Sequence, residues 1–216
     1  MFVSKTTDIS AAVKAQRRKE ARPAEILDAG LKEFAEHGFA ASKLVDIARR
    51  AGVVKGTLYR YFPNKEALFE AAVTSRVNPM FDQVNTLLDH YPGSTEDLLR
   101  IALPQIYQRI FNTDLHILMR IIISESNRFP DIAQFYHQQV ILKGRGLLEK
   151  IVQRGIERGE FRDGPVTDTP MVIFAPVLMT VVWKMTFDRF DPIDIEKMAA
   201  AHVDMVFNGI KVSAKK

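Results

Sequence analysis

The sequence predicts an all-α protein, with a small three-helix unit ahead of a larger helical one. Three observations predict it. Apolar residues recur three and four apart through most of the 216 residues, and no stretch alternates as a half-buried strand does. The periodic stretches are separated by helix-breaking groups: Tyr91-Pro92-Gly93, Asn127 to Pro130, Gly159 to Pro165 and Asp191-Pro192. Between Ser42 and Pro63, two short apolar-faced stretches are joined by Gly52, the pattern of a helix-turn-helix.

Met1 to Lys14 has no sustained period, and residues 1–19 are expected to form a mobile basic arm. The charged run QRRKEAR at Gln16–Arg22 either lengthens the first helix or lies along a DNA minor groove. Pro23 suits a first helical turn, and Ile26, Leu27, Gly30, Leu31 and Phe34 share a face until Gly38 ends the helix. Gly30 on that face permits close helix contact, and Phe39 plugs the base of the cluster. A second helix is expected to be capped by Ser42, with Leu44, Ile47, Ala48 and Ala51 inward. A third follows Gly52, docked by Val53, Leu58 and Phe62 and ended by Pro63. With Leu58 and Phe62 inward, the period leaves Lys55, Gly56 and Tyr59 outward and Thr57 and Arg60 on the flanks. Positive charge, hydroxyls and a bare glycine on one face suit a nucleic-acid surface.

Asn64 caps a fourth helix running from Lys65 to about Val77, after which Asn78-Pro79 is read as a break. Beyond it Ser94 caps a helix carrying Pro104, Thr113 or Asp114 opens another, and Asp131 begins a long one reaching about Arg158. Thr169-Pro170 opens a helix that is apolar almost all round, and Asp194 opens the last. Such surfaces belong either to the chain's own core or to a contact between two copies. The second is preferred, because a helix apolar on all faces must be buried and a small domain offers few partners. Phe174, Leu178, Val182, Met198, His202, Met205, Val206 and Ile210 are the expected contact residues.

Composition narrows the function classes. An apolar content of 47% supports a substantial core. The absence of cysteine excludes disulfides, thiolate zinc sites and cysteine nucleophiles. Net charge is uneven: residues 1–76 hold fourteen Lys and Arg against nine Asp and Glu, a net +5, and residues 77–216 hold sixteen against seventeen, a net −1. The basic excess therefore accompanies the helix-turn-helix, as neutralising phosphates requires. The five histidines form no HxxxH or HxxE arrangement, and no phosphate-binding loop or nucleophile elbow is present, so neither an enzyme, a metal site nor a cofactor is expected. Paired acids such as Glu157 and Glu160 are read as solvated. The opening residues lack a signal-peptide core, and the apolar run Met171–Trp183 is too short to span a bilayer, so a cytoplasmic protein with no membrane partner is expected.

The run AGVVKGTLYRYFPNKEALF, preceded by LKEFAEHGFAAS and containing DIA in between, resembles the DNA-binding domain of the TetR family of bacterial transcriptional regulators. The resemblance covers roughly residues 20–72; beyond it only the layout is similar. It implies a helix-turn-helix DNA-binding domain over 20–72 and a helical effector-binding and dimerisation domain over 73–216. It further implies a homodimer on an inverted-repeat operator in double-stranded DNA and a small-molecule effector. The expected DNA contacts are Ser42, Lys43, Lys55, Gly56, Thr57, Tyr59, Arg60, Tyr61 and Lys65, the last gripping phosphate. Val54 stands where many relatives have a capping serine, and Val45 where a polar residue is common. Candidate effector contacts are Phe81, Ile106, Tyr107, Phe111, His116, Met119, Arg120, Ile122, Phe135, Met179 and Trp183, although an aromatic and methionine stripe is more often core than pocket. A DNA-bound scaffold docking a protein partner is the alternative to an effector-released repressor.

Overall fold

The computed structural model describes residues 22–211; the expected N-terminal arm lies outside them. The described residues are helical apart from turns and one isolated antiparallel bridge, Phe161 to Lys211. The chain divides into two compact units between Ala72 and Val73.

In the first unit α1 covers 22–37, α2 Leu44–Arg50 and α3 Lys55–Tyr61, and α4 (Lys65–His90) contributes its first turns. Gly38 and Gly52 end α1 and α2 with φ of 78° and 65°, backbone that only glycine takes without strain. Ile26, Leu31, Phe34, Phe39, Ile47, Leu58, Leu68 and Phe69 are fully enclosed, and Phe39 meets Phe34 and Phe69 at centroid distances of 5.1 and 5.8 Å. Gly30 is needed where α1 meets α4: a Cβ there would lie 2.5 Å from the Leu68 side chain. Arg50 pairs with both Glu33 and Glu36 and so ties α2 to α1. Asn64 accepts from the Ala67 amide at 2.7 Å and caps α4.

The expected break at Asn78-Pro79 does not occur, and α4 runs through Pro79 to His90. An interior proline costs about 3 kcal/mol. Val77, Phe81 and Leu88 are buried on both sides of it, and each contributes about 1.5–3 kcal/mol by burial, which outweighs the defect.

The second unit adds α5 (Thr95–Asn112), α6 (Leu115–Glu125), α7 (Pro130–Tyr136), α8 (Leu142–Glu157), the short α9 (Pro165–Asp168), α10 (Met171–Thr186) and α11 (Ile195–Ile210). A five-residue π-helical turn, His137–Ile141, links α7 to α8, so the long helix expected from Asp131 is one rod with a register change inside it. Ser94 accepts from the Asp97 amide at 2.9 Å, and Asp194 accepts from the Glu196 and Lys197 amides, both at 3.0 Å. The core gathers Leu98, Leu99 and Leu103 of α5, Ile151 and Val152 of α8, Ile173 of α10, and Val206, Phe207 and Ile210 of α11.

The corner between α4 and α5 is closed from a distance in sequence. Arg154 donates to the carbonyls of Leu88 and Tyr91 at 2.5 and 2.7 Å, satisfying the end of α4. Glu160 accepts from the Thr95 and Glu96 amides at 2.5 and 3.1 Å, at the start of α5. Reading Glu160 as a solvated acid is therefore corrected: it is a helix cap, placed where the positive end of α5 favours an anion.

Candidate nucleic-acid interface and ligand cleft

The interface begins with what α3 leaves uncovered. Leu58 is fully buried and Phe62 nearly so, which turns Lys55, Gly56, Tyr59 and Arg60 to solvent, with Thr57 and Tyr61 half-buried beside them. The Lys55 ammonium lies 5.4 Å from the Tyr59 ring centroid and the Arg60 guanidinium 5.8 Å from that of Tyr61, so each cation rests on an aromatic face. A Cβ on Gly56 would meet no atom within 4 Å, so packing within the chain does not require this glycine. Val54 occupies the N-cap with no side-chain hydrogen bond and is 73% exposed, an apolar group set at the edge of the polar face. Lys43, the N-cap of α2, is exposed, as is Val45 in its first turn.

Two of the expected contacts are placed otherwise. Ser42 is 4% exposed, and its hydroxyl points inward between the carbonyls of Gly38 (2.6 Å) and Glu33 (3.2 Å) instead of capping α2. Its side chain fastens the end of α1 and is not presented to DNA. The Lys65 ammonium donates to the carbonyls of Phe39 at 2.8 Å and Ala40 at 2.9 Å and lies 4.8 Å from the Phe39 ring centroid. These internal acceptors account for a cation in the unfavourable first turn of α4 without a phosphate. The one acid and histidine cluster among the described residues, Glu33, Glu36 and His37, already holds Arg50.

The expected effector residues differ widely in burial. Tyr107 is fully buried, its hydroxyl sharing a 3.1 Å hydrogen bond with His202 Nδ1 and its ring stacked on Phe111 at 6.4 Å. Burial pushes the Tyr107 hydroxyl up and the His202 imidazole down from their ordinary pKa values. Met119 is buried, and Ile106 packs on the main core. Arg120, Ile122, Phe135 and Trp183 are half-buried, and the Trp183 indole donates to the Asp191 carbonyl at 2.8 Å. His116 and Met179 face solvent. Residue type and helical period report burial but not concavity. Phe81 alone among them lines a cleft of about 430 Å³ between α4 and α8.

The expected contact between copies divides by helix. On α10, Leu178 is 43% exposed and Val172, Met179 and Met185 are also exposed, with Phe174 and Val182 partly so. On α11, Met205 is 53% exposed and Met198 half-buried, whereas His202, Val206 and Ile210 are enclosed. The expectation that these three form the contact between copies is corrected: they face α5 and the core of their own chain, together with Ala199 and Phe207. No helix among the described residues is long and apolar enough to cross a membrane.

A three-helix unit that presents a short, cationic second helix of a helix-turn-helix, ahead of a larger helical unit, defines a DNA-binding regulator. Residues 26–72 match the profile of bacterial regulatory proteins of the tetR family, and residues 92–201, half of the chain, match the tetracyclin repressor-like C-terminal domain. The chain belongs to the TetR family. It is a DNA-binding transcriptional regulator, of a family that acts on operator DNA as dimers, and is not an enzyme. It is similar to the fatty acid metabolism regulator protein of Bacillus subtilis, with 26% identity over 81% of this chain and 90% of that protein. It is also similar to the HTH-type transcriptional repressor KstR2 of Mycolicibacterium smegmatis, with 26% identity over 88% and 90%. In fold it matches the crystal structure of the transcriptional regulator FadR from Bacillus subtilis in complex with stearoyl-CoA, at a TM-score of 0.74 and 21% identity over 86% of this chain and 98% of that one.

Proposed function

We propose that the protein is a cytoplasmic repressor which holds an inverted-repeat operator as a homodimer and releases it when a small apolar or amphipathic effector binds its helical unit. The observation that carries the reading is the outward face of α3, where a glycine with no packing role stands among Lys55, Tyr59 and Arg60. That arrangement lets DNA approach the backbone while cations and hydroxyls meet phosphates and base edges. Lys43, Lys55, Gly56, Thr57, Tyr59, Arg60 and Tyr61 form the proposed contact set; Ser42 and Lys65 are left out of it because their polar groups serve the fold. Two such faces, one DNA turn or about 34–36 Å apart, would read successive major grooves.

The exposed apolar face of α10, with Met205 of α11, is the proposed seam between copies. A patch of this kind on a lone chain favours association. The scaffold alternative draws on the same apolar face, which a second copy would cover, whereas the α4–α8 cleft supports the effector reading. FadR from Bacillus subtilis, similar in fold, has been crystallised in complex with stearoyl-CoA, which makes long-chain acyl thioesters the first effectors to try. DNA selected from a random pool by the purified dimer supplies the operator, and its affinity is then titrated with and without saturating acyl-CoA. Weakened binding is expected for one chain-length class. An unchanged isotherm across acyl-CoAs and hydrophobic drugs would falsify effector release.

A further inference from the structure

The cleft between α4 and α8 has features that the chain's own packing does not require. Gly146 stands within α8, where glycine is less favourable than alanine. A Cβ built there would meet no atom within 4 Å, yet Gly146 lines the cleft. Gly155 in the same helix is different, since its Cβ would fall 2.1 Å from the Phe161 ring and packing demands the glycine. Immediately before α8 lies the π-helical turn His137–Ile141. Such a turn rotates every side chain that follows it relative to a plain α-helix, and it recurs at ligand sites.

The walls differ in chemistry. Phe81 and Leu147 make a buried or half-buried apolar floor, and Leu142 remains exposed at its edge. Lys143 and Lys150 stand two helical turns apart on the α8 side, against the single acid Asp82. Lys143 Nζ donates to Asn78 Oδ1 at 3.1 Å across the opening. Lys150 has no hydrogen bond or ion pair among the described residues. The volume, about 430 Å³, lies within the range of small-molecule sites.

We infer that this cleft binds an amphipathic anion, its apolar body lying on Phe81, Leu142 and Leu147 across the bare backbone of Gly146, and its oxyanion headgroup held by Lys150 with help from Lys143. The site stands on these residues alone. Its regulatory meaning rests on the effector-released reading, because the α4 wall belongs to the helix that begins in the DNA-binding unit.

Dodecanoate, below its micellar concentration, is the probe, and dodecyltrimethylammonium is the charge-reversed control. Calorimetric titration of the full-length dimer is expected to show one dodecanoate per chain and no saturable binding of the cation. A Lys143→Gln/Lys150→Gln variant should bind dodecanoate at least about tenfold more weakly. Gly146→Leu should abolish binding while melting at or above the parent temperature, because a helix glycine has been replaced on an open face. No dodecanoate binding by the parent, equal binding of the cation, or undiminished binding by both variants overturns the site. Operator affinity measured on the same samples separates the two readings. Cleft binding that leaves operator affinity unchanged removes the regulatory role and keeps the site. Operator release by dodecanoate that persists in Gly146→Leu removes this cleft and keeps the repressor.

Discussion

Lys65 carries its charge into the DNA-binding unit and spends it on the carbonyls of Phe39 and Ala40. Replacing it by methionine keeps the aliphatic stem and removes the donors. Hydrogen bonds to charged groups contribute about 1.5–3 kcal/mol, so Lys65→Met should destabilise the unit by that order in a denaturant titration. The slope of operator affinity against salt should stay as in the parent. A slope reduced by about one, with stability unchanged, would instead mark Lys65 as a phosphate contact. Ser42 teaches the same lesson. Both residues have polar groups at positions where a sequence motif suggests DNA, and only three-dimensional placement reveals that backbone carbonyls have already taken them. At this scale the sequence was informative about which side chains are buried, through Leu58, Phe62 and Phe39, and less so about what each polar group bonds to, since the partners of Lys65 lie 25 and 26 residues away.

For α3, seven residues long, helix propensity and function pull in opposite directions. Isolated helices this short are marginal, and Gly56 makes it weaker still. Gly56→Ala should raise stability by up to about 1 kcal/mol, since the methyl group would meet no neighbour in the free protein. If the proposed contact face is right, it should at the same time weaken specific operator binding, as read by fluorescence anisotropy. A variant that is more stable and binds equally well would place the DNA elsewhere. The starts of α4, α5 and α11 were legible because Asn64, Ser94 and Asp194 cap them locally. The passage of α4 through Pro79 was not, because the burial that offsets a proline comes from partners distant in the chain. The π-helical turn before α8 left no mark in the sequence period either, and it decides which residues of α8 face α4.

For the whole molecule, α10 is the element whose environment a single chain does not complete. Leu178→Glu puts a charge into its exposed apolar face without touching the buried Val177 or Val181. The variant should remain folded, sediment as a monomer and lose most of its operator affinity, because each copy contributes one reading helix. A dimeric Leu178→Glu variant would move the seam off this face. The all-helical architecture and the position of the reading helix were evident from periodicity and glycine placement. The interior arrangement was not: His202, Val206 and Ile210 form an apolar stripe on α11 that reads equally well as an interface or a core, and only the position of α5 decides between them.

The corner between α4 and α5 also bears on the order in which the chain acquires its structure. Its two helix ends are satisfied by Arg154 and Glu160, more than sixty residues later in the sequence. During synthesis from the N-terminus, α1 to α3 and the first turns of α4, which make one compact unit, are complete by about Ala72. The backbone groups of Leu88, Tyr91 and Thr95 lack their partners within the chain until Arg154 and Glu160 have emerged. The DNA-binding unit can thus be finished early from local contacts, whereas the helical unit closes late, across a long loop, with its apolar surface open in the interval.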